Sequence, residues 1–158
     1  NLWIERDDFR EVANNKYHRL KLGGEVRLKG AYIIKAVDVI KDSDGNVIEV
    51  ICEYDPSTKS GMVVDRKVKG TIHWVNRGHC LPVTVREYDK LFLDVESTEI
   101  NPNTITIKTG YTEMNSIACK VEEAVQFMRL GYYVLDKDST TESLVFNKSV
   151  SLKDSYGE

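Results

Sequence analysis

Residues 31–54 read AYIIKAVDVIKDSDGNVIEVICEY. Ala31 to Ile40 is dense in Ile and Val, side chains that suit a pleated, half-buried surface. Asp44-Gly45-Asn46 then supplies residue types that tolerate positive φ in a tight turn. Val47 to Tyr54 returns to the same β-rich composition, so the stretch predicts a hairpin. The same reading extends outward from it. Glu25 to Lys29 alternates polar and apolar residues on the N-terminal side. Arg66 to Val75, Val83 to Asp89 and Thr104 to Thr109 alternate on the C-terminal side, and strands are expected at Tyr132 to Asp136 and Leu144 to Leu152. Short strands with turn signals every ~8–12 residues predict a mainly β fold of small barrels or sandwiches.

One early segment reads differently. Phe9, Val12, Ala13, Tyr17 and Leu20 recur at helical spacing. Asp7 and Asp8 are placed to cap that helix, and Gly23-Gly24 to end it. A short N-terminal helix is therefore expected. Ser116 to Arg129 fits two patterns: Ile117, Val121, Val125 and Met128 share a helical face, whereas Val125, Phe127 and Arg129 alternate.

The chain has 158 residues, 41% of them apolar and 30% charged. That is enough for one sizeable domain or two small ones, and it is not the composition of a disordered tail. No apolar run approaches the roughly 20 residues of a membrane helix. The charged opening stretch is not a signal peptide, and without an initiator Met the chain reads as a piece of a longer protein. Three widely spaced cysteines (Cys52, Cys80, Cys119) do not form a disulfide framework and point to a reducing, cytoplasmic compartment.

The net charge of −3 hides an asymmetry. Arg10, Lys16, Arg19, Lys21, Arg27, Lys29 and Lys35 are opposed between them only by Glu11 and Glu25, a local excess of +5. Arg27 and Lys29 fall on one strand face with Glu25. Such a face is either ordinary solvated surface or a track for phosphates, with guanidinium groups able to read base edges. In RKVKGTIHWV (residues 66–75), Val68, Gly70, Ile72 and Trp74 alternate with Lys67, Lys69, Thr71 and His73.

Other chemistry finds little support. His73, His79 and Cys80 match no zinc spacing. Asp42-Ser43-Asp44-Gly45 resembles part of a calcium loop, but Ile40 and Ile51 stand where its first and twelfth ligands belong. There is no Gly-x-Ser-x-Gly and no Gly-rich phosphate loop. The sequence offers no catalytic residues and no metal site.

Seven segments carry a resemblance: LWIERDDFREVANNKYHRLKLGGEVRLKGAYIIK (2–35), CEYDPSTKSG (52–61), RKVKGTIHWV (66–75), LPVTVREYDKLF (81–92), INPNT (100–104), VQFMRLGYYVLD (125–136) and VFNKSVSLKDS (145–155). In this order and spacing they resemble the C-terminal anticodon-binding region of the glutaminyl-tRNA synthetases, which are class I aminoacyl-tRNA synthetases. The eukaryotic and archaeal type of glutamyl-tRNA synthetase is the nearest alternative, and a β-barrel docking module for proteins is the alternative from another class. The resemblance implies two β-barrels. Residues 1–17 and 103–158 would belong to a proximal barrel, with further strands upstream of Asn1, and 18–102 to a distal one.

It also implies what the chain binds. The partners would be the anticodon loop of tRNA(Gln) and the catalytic domain of the same polypeptide, with no DNA and no membrane. ATP and Mg would serve the parent enzyme and nothing in this piece, which lacks the His-x-Gly-His and Lys-Met-Ser-Lys-Ser signatures. By the same resemblance Arg19 reads a guanine at the third anticodon base. Arg27 and Lys29 stand at the first-base pocket, and Gln126 and Arg129 read a central uridine. His18 and Lys16 flank Arg19, His18 where lysine can occur and Lys16 where glutamine can occur. Lys29 stands where arginine can occur. Gln126 and Arg129 are three apart, so a regular strand would point them to opposite faces. Their convergence requires a bulge, a bend or a helical turn.

Overall fold

The computed structural model describes residues 1–94, 96 and 98–152. It is mainly β and divides into two compact units. One runs from Leu2 to Trp74, and the other comprises Asn1 and the chain from Val75 onward. Positions 153–158 of the expected proximal segment lie outside the described residues.

The first unit contains β1 (Leu2–Trp3), β2 (Phe9–Arg10), β3 (Leu20–Lys21), β4 (Glu25–Leu28), β5 (Ile33–Lys41), β6 (Val47–Asp55) and β7 (Thr71–Ile72). Its main sheet has the order β6-β5-β4-β7, with β2 and β3 forming a separate parallel pair. The expected hairpin forms as β5 and β6, in register from Ile33 opposite Asp55 to Lys41 opposite Val47. Its turn is tied by Asp42, whose carboxylate accepts from the Asp44 and Asn46 N–H groups at 3.0 and 2.8 Å. Gly45 takes the positive φ that the turn demands. Alternation in β4 sends Val26 and Leu28 into a core with Leu20, Ile34, Ala36 and Ile72.

The expected helix over Phe9 to Leu20 does not form. Eleven helical steps would separate those two residues by about 16 Å. Instead Phe9 and Leu20 lie side by side as β2 and β3, while Val12 is almost fully exposed. The helical spacing was coincidental: of the five, Leu20 is buried and Phe9 packs against the same core, while Ala13 and Tyr17 are half-buried on the loop between them. The helical turn that does form is a short 3₁₀ segment at Arg6–Asp8, just upstream. The strand expected over Arg66 to Val75 shortens to β7. Its burial still alternates, with Gly70 and Ile72 buried and Lys67, Lys69 and Thr71 exposed.

The second unit contains β8 (Val75–Asn76), β9 (Cys80–Tyr88), β10 (Ile105–Glu113), β11 (Ala124–Phe127), β12 (Gly131–Leu135) and β13 (Leu144–Ser151). Five of these make a sheet of order β10-β9-β13-β12-β11, in which only the β9–β13 pairing is parallel. Leu81, Val83, Tyr133, Leu135, Leu144 and Phe146 form its core. A polar network braces the parallel pair. Arg86 pairs with Asp136 at 3.4 Å and Asp138 at 3.1 Å, the Asn147 amide donates to Asp136, and the Tyr88 hydroxyl donates to Asn147 at 3.2 Å. The Asp138 backbone N–H and the Asn147 amide hold the Asp136 carboxyl below its ordinary pKa. Among the described residues the ladders of both main sheets stop at edge strands and do not run round into closed barrels.

Gly70 sits where two stretches of chain pass close together. A Cβ there would lie 2.0 Å from the His18 carbonyl oxygen, whereas at Gly78 it would meet only an ordinary contact at 3.6 Å. Gly70→Ala is expected to destabilise the protein by about 3 kcal/mol, the upper end of the overpacking range. Gly78→Ala should stay within about 0.5 kcal/mol. Urea unfolding of the two variants side by side checks this.

Candidate nucleic-acid interface

The basic N-terminal segment is organised by one buried carboxylate. Asp8 has no exposed surface, and Arg19 pairs with it at 3.3 Å while keeping 44% of its own side chain exposed. Arg19 Nη1 also donates to the Asp7 carbonyl at 3.2 Å, and the Tyr17 hydroxyl donates to the same oxygen at 2.8 Å. Burial pushes the Tyr17 phenol above its ordinary pKa, with Arg19 pulling the other way, so it remains a donor at neutral pH. Arg10 lies over the Tyr17 ring at 4.9 Å. Asp7 and Asp8 therefore orient an arginine and a tyrosine instead of capping a long helix. Arg19 is gripped through one nitrogen, and the rest of its planar fork remains for a ligand.

Lys16 and His18 lie on the exposed loop leading into β3. Arg27, on β4, is held more tightly. Its Nη1 donates to the Thr58 carbonyl at 2.8 Å and the Ala31 carbonyl at 3.2 Å. The acceptor turn is itself braced. Thr58 is buried; its hydroxyl donates to the Asp55 carbonyl at 2.6 Å and accepts from the Ile33 N–H at 2.9 Å. Asp55 caps the 3₁₀ turn Pro56–Thr58 by accepting from the Ser57 N–H. The Ser57 hydroxyl and Arg66 hold the Asp55 carboxyl below its ordinary pKa. Lys29 is exposed just past β4, where its carbonyl accepts from the Trp74 indole at 3.0 Å. The two acids of the basic segment are engaged by cations from outside it, Glu11 by Lys41 and Glu25 by Arg66.

Asp8, Asp55, Thr58 and Arg66 are the positioning residues that sequence reasoning missed. Asp-Pro-Ser-Thr was the legible signal for the second group, since Asp before Pro with Ser two residues on is a capping pattern. Nothing distinguished Asp8 from an ordinary helix cap.

Gln126 and Arg129 belong to the other unit. Gln126 is exposed on β11 opposite Tyr132, and β11 ends at Phe127. A tight turn follows, closed by Leu130 N–H to Phe127 carbonyl at 2.9 Å, with Arg129 at φ 67°. The turn bends the chain between Gln126 and Arg129. Positive φ at its third residue is a place for Gly or Asn, and it costs a non-glycine residue about 1–2 kcal/mol. Glu122 repeats the strain at φ 68° on the other side of β11. Among the described residues no group of three or more His, Cys, Asp or Glu side chains gathers to hold a metal ion.

Two family models match, each described as the anticodon-binding domain of class I (E and Q) tRNA synthetases, over residues 1–55 and 71–136. The chain belongs to that family of anticodon-binding domains. It is 50% identical over 169 aligned residues to a glutamine–tRNA ligase of Rhodopirellula baltica, covering 99% of this chain and 28% of the relative. The glutamine–tRNA ligases of Photobacterium profundum and Vibrio parahaemolyticus are each 47% identical, over 99% of this chain and 30% of theirs. The chain thus spans less than a third of the length of these relatives.

Arg129 and Glu122 are exposed and carry the same backbone strain, so paired variants separate the cost of strain from contact with RNA. Arg129→Gly is expected to raise stability by roughly 0.5–1 kcal/mol, as the left-handed penalty disappears against the greater freedom of unfolded glycine. The same variant should bind an anticodon stem-loop less tightly. Glu122→Gly should gain similar stability with binding unchanged. Thermal unfolding and an RNA titration on both variants separate the two effects.

Proposed function

We propose that this chain is the anticodon-reading part of a glutamine–tRNA ligase. The observation that carries the reading is Arg19, a half-exposed guanidinium fixed by a fully buried carboxylate in a domain of the anticodon-binding family. Unstacked bases of a loop expose their Watson–Crick edges to side chains. A guanidinium held on one side presents paired donors to the acceptors of a guanine. Arg19 accordingly reads the third anticodon base. Arg27 and Lys29 serve the first base: Arg27 lends charge and the part of its fork not bonded to Thr58 and Ala31, and Lys29 acts as a point charge. His18 and Lys16 line the approach for phosphates. Gln126 offers the central uridine both a donor and an acceptor, with Arg129 beside it on the turn.

The family description covers both the E and the Q enzymes, and the identity to glutamine–tRNA ligases favours glutamine. In the parent enzyme, ATP and magnesium would drive attachment of glutamine through an adenylate in the catalytic domain. This chain would supply tRNA selection to that reaction.

A titration with two stem-loops, one carrying C-U-G and one a scrambled triplet on the same stem, tests the reading at two salt concentrations. The C-U-G loop should bind more tightly, and log K should fall with log salt by roughly 0.7 per phosphate contacted. Arg19→Ala should lower discrimination at the third base by about 1–3 kcal/mol. Equal binding of both loops at both salt concentrations would overturn it.

A further inference from the structure

The β11–β12 hairpin has one face in the core and one in water. Phe127 and Tyr133 turn inward, with their rings stacked at 4.3 Å and Phe127 edge-on to Phe146 at 5.0 Å. Alternation then sends their neighbours Gln126 and Tyr132 outward. The adjacent tyrosines of Gly131-Tyr132-Tyr133 have opposite fates, Tyr133 being 2% exposed and Tyr132 43%. The antiparallel register sets Gln126 and Tyr132 directly opposite each other, which brings their Cβ atoms to about 5 Å on one face. On its other side Tyr132 is in register with Val150 of β13, also exposed. The turn adds exposed Met128 and Leu130 beside Arg129.

Exposed apolar and aromatic area next to an amide and a guanidinium is an unusual juxtaposition for a sheet edge. It meets both needs of an unstacked nucleobase, a π surface for its face and a donor–acceptor pair for its edge. A tyrosine suits the first role because its ring is rigid and its hydroxyl stays in water. We infer that Tyr132 is the stacking platform for the nucleobase whose edge Gln126 reads. The inference rests on the reading of this chain as an anticodon-binding domain. It divides the labour of one pocket: stacking tolerates every base, so Tyr132 supplies affinity, whereas Gln126 supplies identity.

The test uses stem-loops with uridine or cytidine at the central position, titrated against the chain and three variants. Tyr132→Leu keeps apolar bulk and should weaken both loops by a similar factor, roughly 5- to 150-fold. Tyr132→Phe keeps the ring and should stay within about twofold. Gln126→Ala should reduce the uridine preference more than the affinity. A loop with 5-iodouridine at the centre, irradiated in the complex, should crosslink to Tyr132, and that crosslink should disappear in Tyr132→Leu. Unchanged affinity in Tyr132→Leu, or a crosslink mapped to another residue, overturns the platform. If Gln126→Ala still erodes uridine preference in that case, the anticodon reading survives without it. If no variant alters preference or affinity, the reading and the platform fall together.

Discussion

A carboxylate with no exposed surface has to be paired, and Asp8 is such a carboxylate. Removing one partner of a buried pair costs about 3–5 kcal/mol, less where one partner stays half in water as Arg19 does. That requirement shapes the first twenty residues. The chain must return after the 3₁₀ turn at Arg6–Asp8 so that Arg19 reaches back to it. Tyr17 closes on the Asp7 carbonyl, and Phe9 comes to lie beside Leu20. The next step places the His18 carbonyl against Gly70, where no side chain fits. One electrostatic constraint thus sets a loop, a strand pair and the presentation of an arginine.

The three candidate arginines differ in how they are held, and the difference is chemical. Arg19 answers a charge and keeps much of its surface in solvent. Arg27 answers neutral carbonyls and is partly buried, so it braces the corner between β4 and the Pro56–Thr58 turn as well as carrying charge. Arg129 is placed by its backbone, in a left-handed turn that disfavours it. A lysine in place of Arg19 or Arg27 would lose the planar set of donors.

Much of the β architecture was legible from periodicity. The 33–55 hairpin, the inward face of β4 and the alternation around Ile72 follow from hydrophobic patterning and one turn sequence. The segment from Phe9 to Leu20 departs from its helical pattern because five apolar residues at helical spacing say nothing of a buried carboxylate nearby. Composition showed only a basic excess between Arg10 and Lys35. The individual candidates came from resemblance; of their supports, Asp8 and Arg66 became visible only with distances, whereas the Asp55 cap of the Pro56–Thr58 turn left a pattern in the sequence. The tight turn between Gln126 and Arg129, with its positive φ at an arginine, had no signal in the sequence.

On the proposed reading, RNA is met by the loop 14–19 with β4 in one unit and by β11 with its following turn in the other. Amide hydrogen exchange of the chain, with and without a C-U-G anticodon stem-loop, decides this. Protection should gather in residues 14–31 and 124–132. Protection confined to β9 and β10, with those two segments unchanged, would contradict the account.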